Sequence, residues 1–286
     1  MNLSFLSFFL LLISGAAIAQ PISGRITNAA TLEALPFVNI GVVGKALGTV
    51  ADEQGAYKMI FQEALANETV RVSSMGFAPR NILLRELAAQ PNVALTPEAV
   101  ALGNVQVKGK ALFRRTHMLG NTGNSENVTF TLNNRDLGGQ VGTVIKLSRR
   151  PTRVKSATFN IAHDAPGQVT FRVNLYRLDA KGNPSDAKLL RREVIVTAPV
   201  VRGPMTVDLS ADQLVLDEDF YLSVEMLKWE GLPAGGATFA FSASLGYNNN
   251  QIYTRKTSQA AWERISAGAV LAGLQPRLSF FATVND

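Results

Sequence analysis

The sequence predicts an all-β protein of two β-sandwiches in series, the second jelly-roll-like. Three observations predict it. Apolar and β-branched residues come in short alternating runs rather than at helical spacing. Clusters of Gly, Asn, Asp and Pro interrupt those runs at regular intervals. A charged and then Gly/Asn/Ser-rich stretch divides the runs into two sets, a pattern that suits consecutive two-layer domains.

Residues 1–20 read as an export signal. Leu3 to Ile13 is an apolar run, and Ala17-Ile18-Ala19 is an A-x-A site that places cleavage between Ala19 and Gln20. The segment before the run has no Lys or Arg, a departure from the usual pattern. The run is shorter than the ~20 apolar residues a spanning helix needs, and no later segment qualifies, so no transmembrane span is expected in the mature chain. Cleavage leaves about 266 of the 286 residues, enough for roughly two domains. There is no cysteine. An exported sandwich without disulfides relies on buried apolar area, and thiol nucleophiles, Cys-ligated metals and a lipobox anchor are excluded.

The first domain is expected over 21–107. Ile22, Gly24 and Ile26 open an alternating run. Phe37, Val38 and Ile40 form a strand that Gly41 and Gly44 break. Asp52-Glu-Gln-Gly55 is a turn, because Asp bonds its own backbone and Gly supplies a positive φ. Tyr57, Met59 and Phe61 share a face. Thr69–Ser73, Asn81–Leu84, Val93–Leu95 and Val105–Val107 complete an antiparallel set. A linker follows over 108–127, with Lys108, Lys110, Arg114 and Arg115 ahead of Gly120-Asn-Thr-Gly-Asn-Ser, and reads as a mobile joint or long loop. The second domain, 128–286, shows strand patterns at Val128–Leu132, Val141–Leu147, Val154–Ile161, Val169–Tyr176, Glu193–Thr197, Met205–Leu209 and Phe220–Leu227. Further patterns lie at Ala237–Ser242, Gln251–Thr254, Trp262–Ile265 and Arg277–Thr283. Single helical turns are expected at Leu83–Ala89 and Ala211–Leu214.

The first domain also carries a resemblance. Ile22-Ser-Gly-Arg-Ile-Thr, Leu35-Pro-Phe-Val-Asn-Ile, Gly48-Thr-Val-Ala-Asp-Glu-Gln-Gly-Ala-Tyr, Val70-Arg-Val-Ser-Ser-Met-Gly-Phe and Gly103-Asn-Val-Gln-Val occur in this order. The order resembles the carboxypeptidase-regulatory-like domain, a small transthyretin-like β-sandwich of envelope proteins in Bacteroidetes-type bacteria. The resemblance implies a non-catalytic module. The second half is similar to the β-rich part that follows this domain in some proteins of unassigned role, through Gly142-Thr-Val-Ile-Lys-Leu, Val173-Asn-Leu-Tyr, Pro184, Val207-Asp-Leu and Asp219-Phe-Tyr-Leu-Ser-Val-Glu.

No residue set reads as an active site, and none calls for a cofactor or metal. The two histidines, His117 and His163, lie far apart without a third ligand at metal spacing. There is no G-x-S-x-G. Asp217-Glu218-Asp219 lacks the alternation of a calcium loop and reads as a solvated turn. Arg149-Arg-Pro-Thr-Arg153-Val-Lys155 is a dense basic run, read as a solvated edge or a contact for anionic glycan or lipid. The candidate ligand site is aromatic: Trp229, Tyr247, Tyr253 and Trp262, with Asn249 beside them, suit sugar rings, and the alternative is packing at a sandwich end. The net charge of +6 favours an anionic partner, and export argues against nucleic acid.

These readings converge on an exported non-catalytic envelope protein, periplasmic, outer-membrane-associated or extracellular, whose second domain binds a polysaccharide or an outer-membrane protein. The rival expectation is an accessory of a TonB-dependent uptake system, since Leu102-Gly-Asn-Val-Gln-Val-Lys-Gly resembles the segment that follows such domains in those receptors. A hydrolase with an unrecognised site is a third.

Overall fold

The computed structural model describes residues 21–98, 113–132, 137–231, 239–247, 251–266 and 273–286. The signal segment with Ala19 and Gln20, the strand expected at Val105–Val107, and Asn249 lie outside the described residues. Among the described residues no helix is long and apolar enough to cross a membrane.

The first domain is a small two-sheet sandwich. Its strands are β1 (Pro21–Asn28), β2 (Asn39–Val42), β3 (Gly48–Val50), β4 (Ala56–Ile60), β5 (Thr69–Ser73), β6 (Arg80–Leu83) and β7 (Val93–Leu95), with one helix, α1 (Leu84–Ala89). The sheets run β4-β1-β7 and β3-β2-β5-β6. Ile26, Val38, Ile40, Val70, Val72 and Leu84 are fully buried between them. The Asp52 turn forms as expected: its carboxylate accepts the amides of Gln54 (2.9 Å) and Ala56 (2.8 Å), and Gly55 takes φ +71°.

Two details differ from expectation. The β1–β7 pair is parallel, because the chain returns to β1 through α1 rather than through a hairpin. Strand β2 starts at Asn39, since Phe37 sits in the left-handed region at φ +53°. For a residue with a Cβ that conformation costs roughly 1–2 kcal/mol.

The second domain is a larger sandwich whose described strand pairs are all antiparallel. Its strands are β8 (Thr116–Gly120), β9 (Thr129–Leu132), β10 (Gln140–Ile145), β11 (Thr152–Ile161), β12 (Gln168–Leu178), β13 (Pro184–Lys188), β14 (Val194–Pro199) and β15 (Gly203–Asp208). They continue with β16 (Val215–Leu216), β17 (Phe220–Glu230), β18 (Phe239–Gly246), β19 (Ile252–Arg255), β20 (Glu263–Ile265), β21 (Gln275–Leu278) and β22 (Phe280–Asn285). One sheet runs β13-β12-β17-β10-β19-β20, with β14 also on β12. The other runs β21-β18-β11-β22-β8 and curls, because the chain turns at Ser279 from pairing with β18 to pairing with β11 and β8. The core between them centres on edge-to-face rings: Phe280 meets Phe159 and Phe241, each at 4.8 Å between centroids.

The linker reading of 108–127 is corrected here. Residues 116–120 form β8 and pair with β22. Alternation is masked in Thr-His-Met-Leu-Gly because this edge strand buries little of either face. What makes it a strand is the free edge of β22, supplied from far along the chain.

Candidate functional site

Strands β12 and β17 place alternate residues on opposite faces. Phe171, Val173 and Leu175, with Leu222, Val224 and Met226, enter the apolar core. The other face carries Arg172, Asn174 and Tyr176, with Tyr221, Ser223 and Glu225. This second face is also buried. The first domain and the segments around β13 and 256–262 close over it.

Most of these buried polar groups pair with one another, although the Ser223 hydroxyl and the Arg255 Nε have no hydrogen-bond partner among the described residues. Glu225 accepts from Arg172 Nη1 (2.7 Å), Asn174 Nδ2 (3.0 Å) and Gln140 Nε2 (3.1 Å). Gln140 Oε1 accepts from the Tyr176 hydroxyl (3.0 Å), which accepts from Arg255 Nη2 (2.9 Å). Arg255 pairs with Asp186 (2.7 Å) and stacks on Trp262 at 4.1 Å. Arg172 also pairs with Glu193, and its Nη2 donates to the carbonyl of Phe37 in the first domain at 2.6 Å. The left-handed turn of Phe37 aims that carbonyl at a buried guanidinium, a charge-assisted bond strong enough to offset the backbone cost.

The protonation states follow. Burial opposes the charge on Glu225, but the Arg172 guanidinium and the donors around it outweigh burial and hold the carboxyl below its ordinary range. Burial likewise opposes the charge on Arg172 and on Arg255. Glu225 and Glu193 outweigh it for the first, and Tyr176 and Asp186 for the second, so both stay charged. Burial drives the Tyr221 hydroxyl well above its ordinary value.

The domain junction has further contacts. The Gly44 amide donates to the Gln259 carbonyl (2.9 Å), the Met75 amide to Glu193 (3.3 Å), Gln259 Nε2 to Ser73 (3.3 Å) and Lys228 to Glu53 (2.7 Å). Gly41 lies inside β2 rather than breaking it. A Cβ there would come within 3.0 Å of the Gln259 side chain, so glycine lets the domains approach. Beside these contacts a cleft of about 690 Å³ opens between the domains. Arg71, Ser73 and Met75 form one wall, and Asp186, Glu193 and Arg255 the other. Arg71 is half-buried and has no ion pair among the described residues.

The structure scatters the aromatic residues expected to form one site. Tyr253 and Trp262 pack against Tyr221 in the covered face, edge-on at 5.9 and 5.0 Å. The Tyr253 hydroxyl donates to Asn183 (2.7 Å). Trp229 packs edge-on against Phe239 at 6.0 Å and its indole donates to the Pro166 carbonyl (3.4 Å), closing one end of the core. Tyr247 is 78% exposed. It follows the far end of β18, about 25 Å from Trp229 at strand rise. Sequence reasoning missed Arg172, Glu225, Gln140 and Arg255. The available signal was polar residues alternating with apolar ones in the strongest strands, a pattern identical to that of a solvated face.

Other chemistry-bearing groups are engaged in structural pairs. Asp219 pairs with Arg150 (3.0 Å) and accepts the Leu147 amide (3.0 Å), and Glu218 pairs with Arg177. His117 Nε2 faces both Ser148 Oγ (3.0 Å) and the Asp286 carboxylate (3.6 Å). A relay needs the acid on the other ring nitrogen, so this trio lacks triad geometry. His163 is exposed on its turn. Among the described residues no three His, Asp or Glu side chains group to hold a metal.

Residues 22–107 match the model of the CarboxypepD_reg-like domain family. No curated protein matches the chain in sequence. Among solved structures, it is similar to the cysteine protease and lectin-like domains of Cwp84, a surface layer associated protein of Clostridium difficile. There the identity is 11%, the TM-score 0.42 and the coverage 87% of this chain. The chain spans 58% of the length of that Cwp84 chain. It is also similar to the infectious bursal disease virus VP2 subviral particle, at 12% identity and a TM-score of 0.31, over 93% of this chain and 64% of that one.

Proposed function

With residues 22–107 a CarboxypepD_reg-like domain, we propose that the protein is an exported, non-catalytic envelope protein whose two domains act as one binding unit. The first domain is a clamp on the polar face of the second. The cleft between them receives a hydrophilic chain, a segment of envelope polysaccharide.

One observation carries this reading: a cleft of about 690 Å³ lies at the domain junction, and a buried hydrogen-bonded network backs one of its walls. Ligand sites favour such junctions. Donors from Arg71 and Ser73 line one wall, and Asp186 and Glu193 on the other supply acceptors. Hydroxyl groups both donate and accept, so a saccharide can meet both kinds of wall. Export rests on residues 1–20, with Ala17-Ile18-Ala19 before Gln20. The non-catalytic reading is supported by the placement of both carboxylate and Ser148 on one nitrogen of His117.

A glycan array probed with the mature protein tests the reading. Binding should be lost in Arg71→Gln, which lies outside the buried network, and in Asp186→Asn, which also removes the ion pair with Arg255. Unchanged binding in both variants would move the site elsewhere. Turnover of any substrate in an ester and glycoside panel would overturn the non-catalytic assignment.

A further inference from the structure

A second, smaller pocket of about 180 Å³ lies at the end of β10 remote from the first domain, between Asn121, Thr143, Lys146, Gln251 and Arg277. Its charge is one-sided. Lys146 and Arg277 both line it and, among the described residues, no carboxylate does. Elsewhere in this sandwich arginines find acids: Arg150 has Asp219, Arg177 has Glu218, Arg192 has Asp212 and Arg202 has Glu126. Arg277 has no ion-pair partner among the described residues, and its Nε is buried without an acceptor.

A second group points the same way. Thr143 lies on the inner face of β10, 3% exposed, and its hydroxyl has no partner. A buried hydroxyl without a partner carries a standing cost, and Thr143 is among the residues that line this pocket. The wall is rigid. Asn121 Nδ2 donates to the Arg277 carbonyl (2.9 Å) and to Ser244 (3.0 Å), and Asn121 Oδ1 accepts the Gly123 amide (3.2 Å). The Arg277 side chain then runs across Gly246, its Cδ 3.2 Å from where a Cβ would stand. Tyr247, the residue after Gly246, leaves its ring 78% exposed.

We propose that this pocket is a subsite for the oxyanion of an acidic saccharide, with Arg277 and Lys146 holding the anion and Tyr247 meeting the sugar ring. A planar guanidinium lining a small polar pocket matches the geometry of a carboxylate or sulfate. The volume suits one charged group and part of a ring, so the rest of the saccharide lies outside against Tyr247. The inference is independent of the interdomain cleft, which lies at the opposite end of β10.

Calorimetric titration of the mature protein with trigalacturonic acid, with its neutral methyl ester and with sodium sulfate tests it. The acid should bind at least about tenfold more tightly than the ester, and sulfate should compete with it. Arg277→Gln should lose at least about tenfold with an unchanged melting temperature, while Arg71→Gln in the cleft should bind normally. Equal binding of acid and ester, full affinity in Arg277→Gln, or no binding of either anion overturns the proposal. Loss in Arg71→Gln but not in Arg277→Gln would assign the anion to the cleft instead.

Discussion

The two faces of β12 and β17 are buried to nearly the same degree by opposite means. Phe171 and Arg172 are neighbours in sequence, 1% and 2% exposed. Phe171 is held by apolar contact, which is non-directional and tolerates repacking. Arg172 is held by three named partners, one of them a carbonyl from another domain. The first face makes the sandwich fold. The second makes it fold in one relation to the first domain, because a network of this kind is satisfied in a single arrangement.

That contrast can be broken most directly at Arg172. Arg172→Ala leaves Glu225 buried and unpaired, and should cost about 3–5 kcal/mol in chemical denaturation, matching the ~3–5 kcal/mol expected for Phe171→Ala. The two faces part company in the double variant. Arg172→Met with Glu225→Met removes both charges and should recover more than half of the single loss. Recovery of less than half would mean the remaining polar partners dominate.

Acid separates the faces next. Glu225 has its folded pKa held below the unfolded one by burial overcome by Arg172. Its contribution is therefore present above the ordinary carboxylate pKa and is lost as pH falls through the folded value. Denaturation midpoints should drop on acidification below about pH 4, and Glu225→Gln should flatten that limb relative to the parent. An unchanged limb would place the acid sensitivity in other carboxylates.

The aromatic residues sharpen the comparison at smaller scale. Trp262→Ala removes the platform under Arg255 and should cost about 2–4 kcal/mol. Tyr247→Ala, at an exposed position, should leave the melting temperature unchanged within error. Smallest of all is the rim of the junction. Glu53→Gln breaks a half-exposed pair with Lys228 and should cost under about 1 kcal/mol, less still in high salt. A larger loss would show that the rim, not Arg172, sets the domain relation.

The fold was largely legible because its signals are local. Asp52 and Gly55 dictate a turn wherever they stand, and Val70, Val72, Leu222 and Val224 alternate as half-buried strands do. The candidate site was less so. Alternation at Arg172, Asn174 and Tyr176 marks a non-core face, but whether water or a second domain covers it depends on contacts across the chain. Tyr253 and Trp262 stand beside polar turns in sequence, yet fold inward because Tyr221 and Arg255 offer ring and charge partners there. Strand β8 escaped notice because its partner β22 comes so much later.

That last pairing has a kinetic side. Strand β22 lies between β11 and β8, so the curled sheet has a gap at its centre until residues 280–285 have been made. Strand β8 has β22 as its partner among the described residues, whereas β11 also pairs with β15 and β16, so it is β8 that waits for a segment far along the chain. Contacts this distant along the chain slow folding. A sheet whose edge strand joins through so distant a partner is completed late in folding.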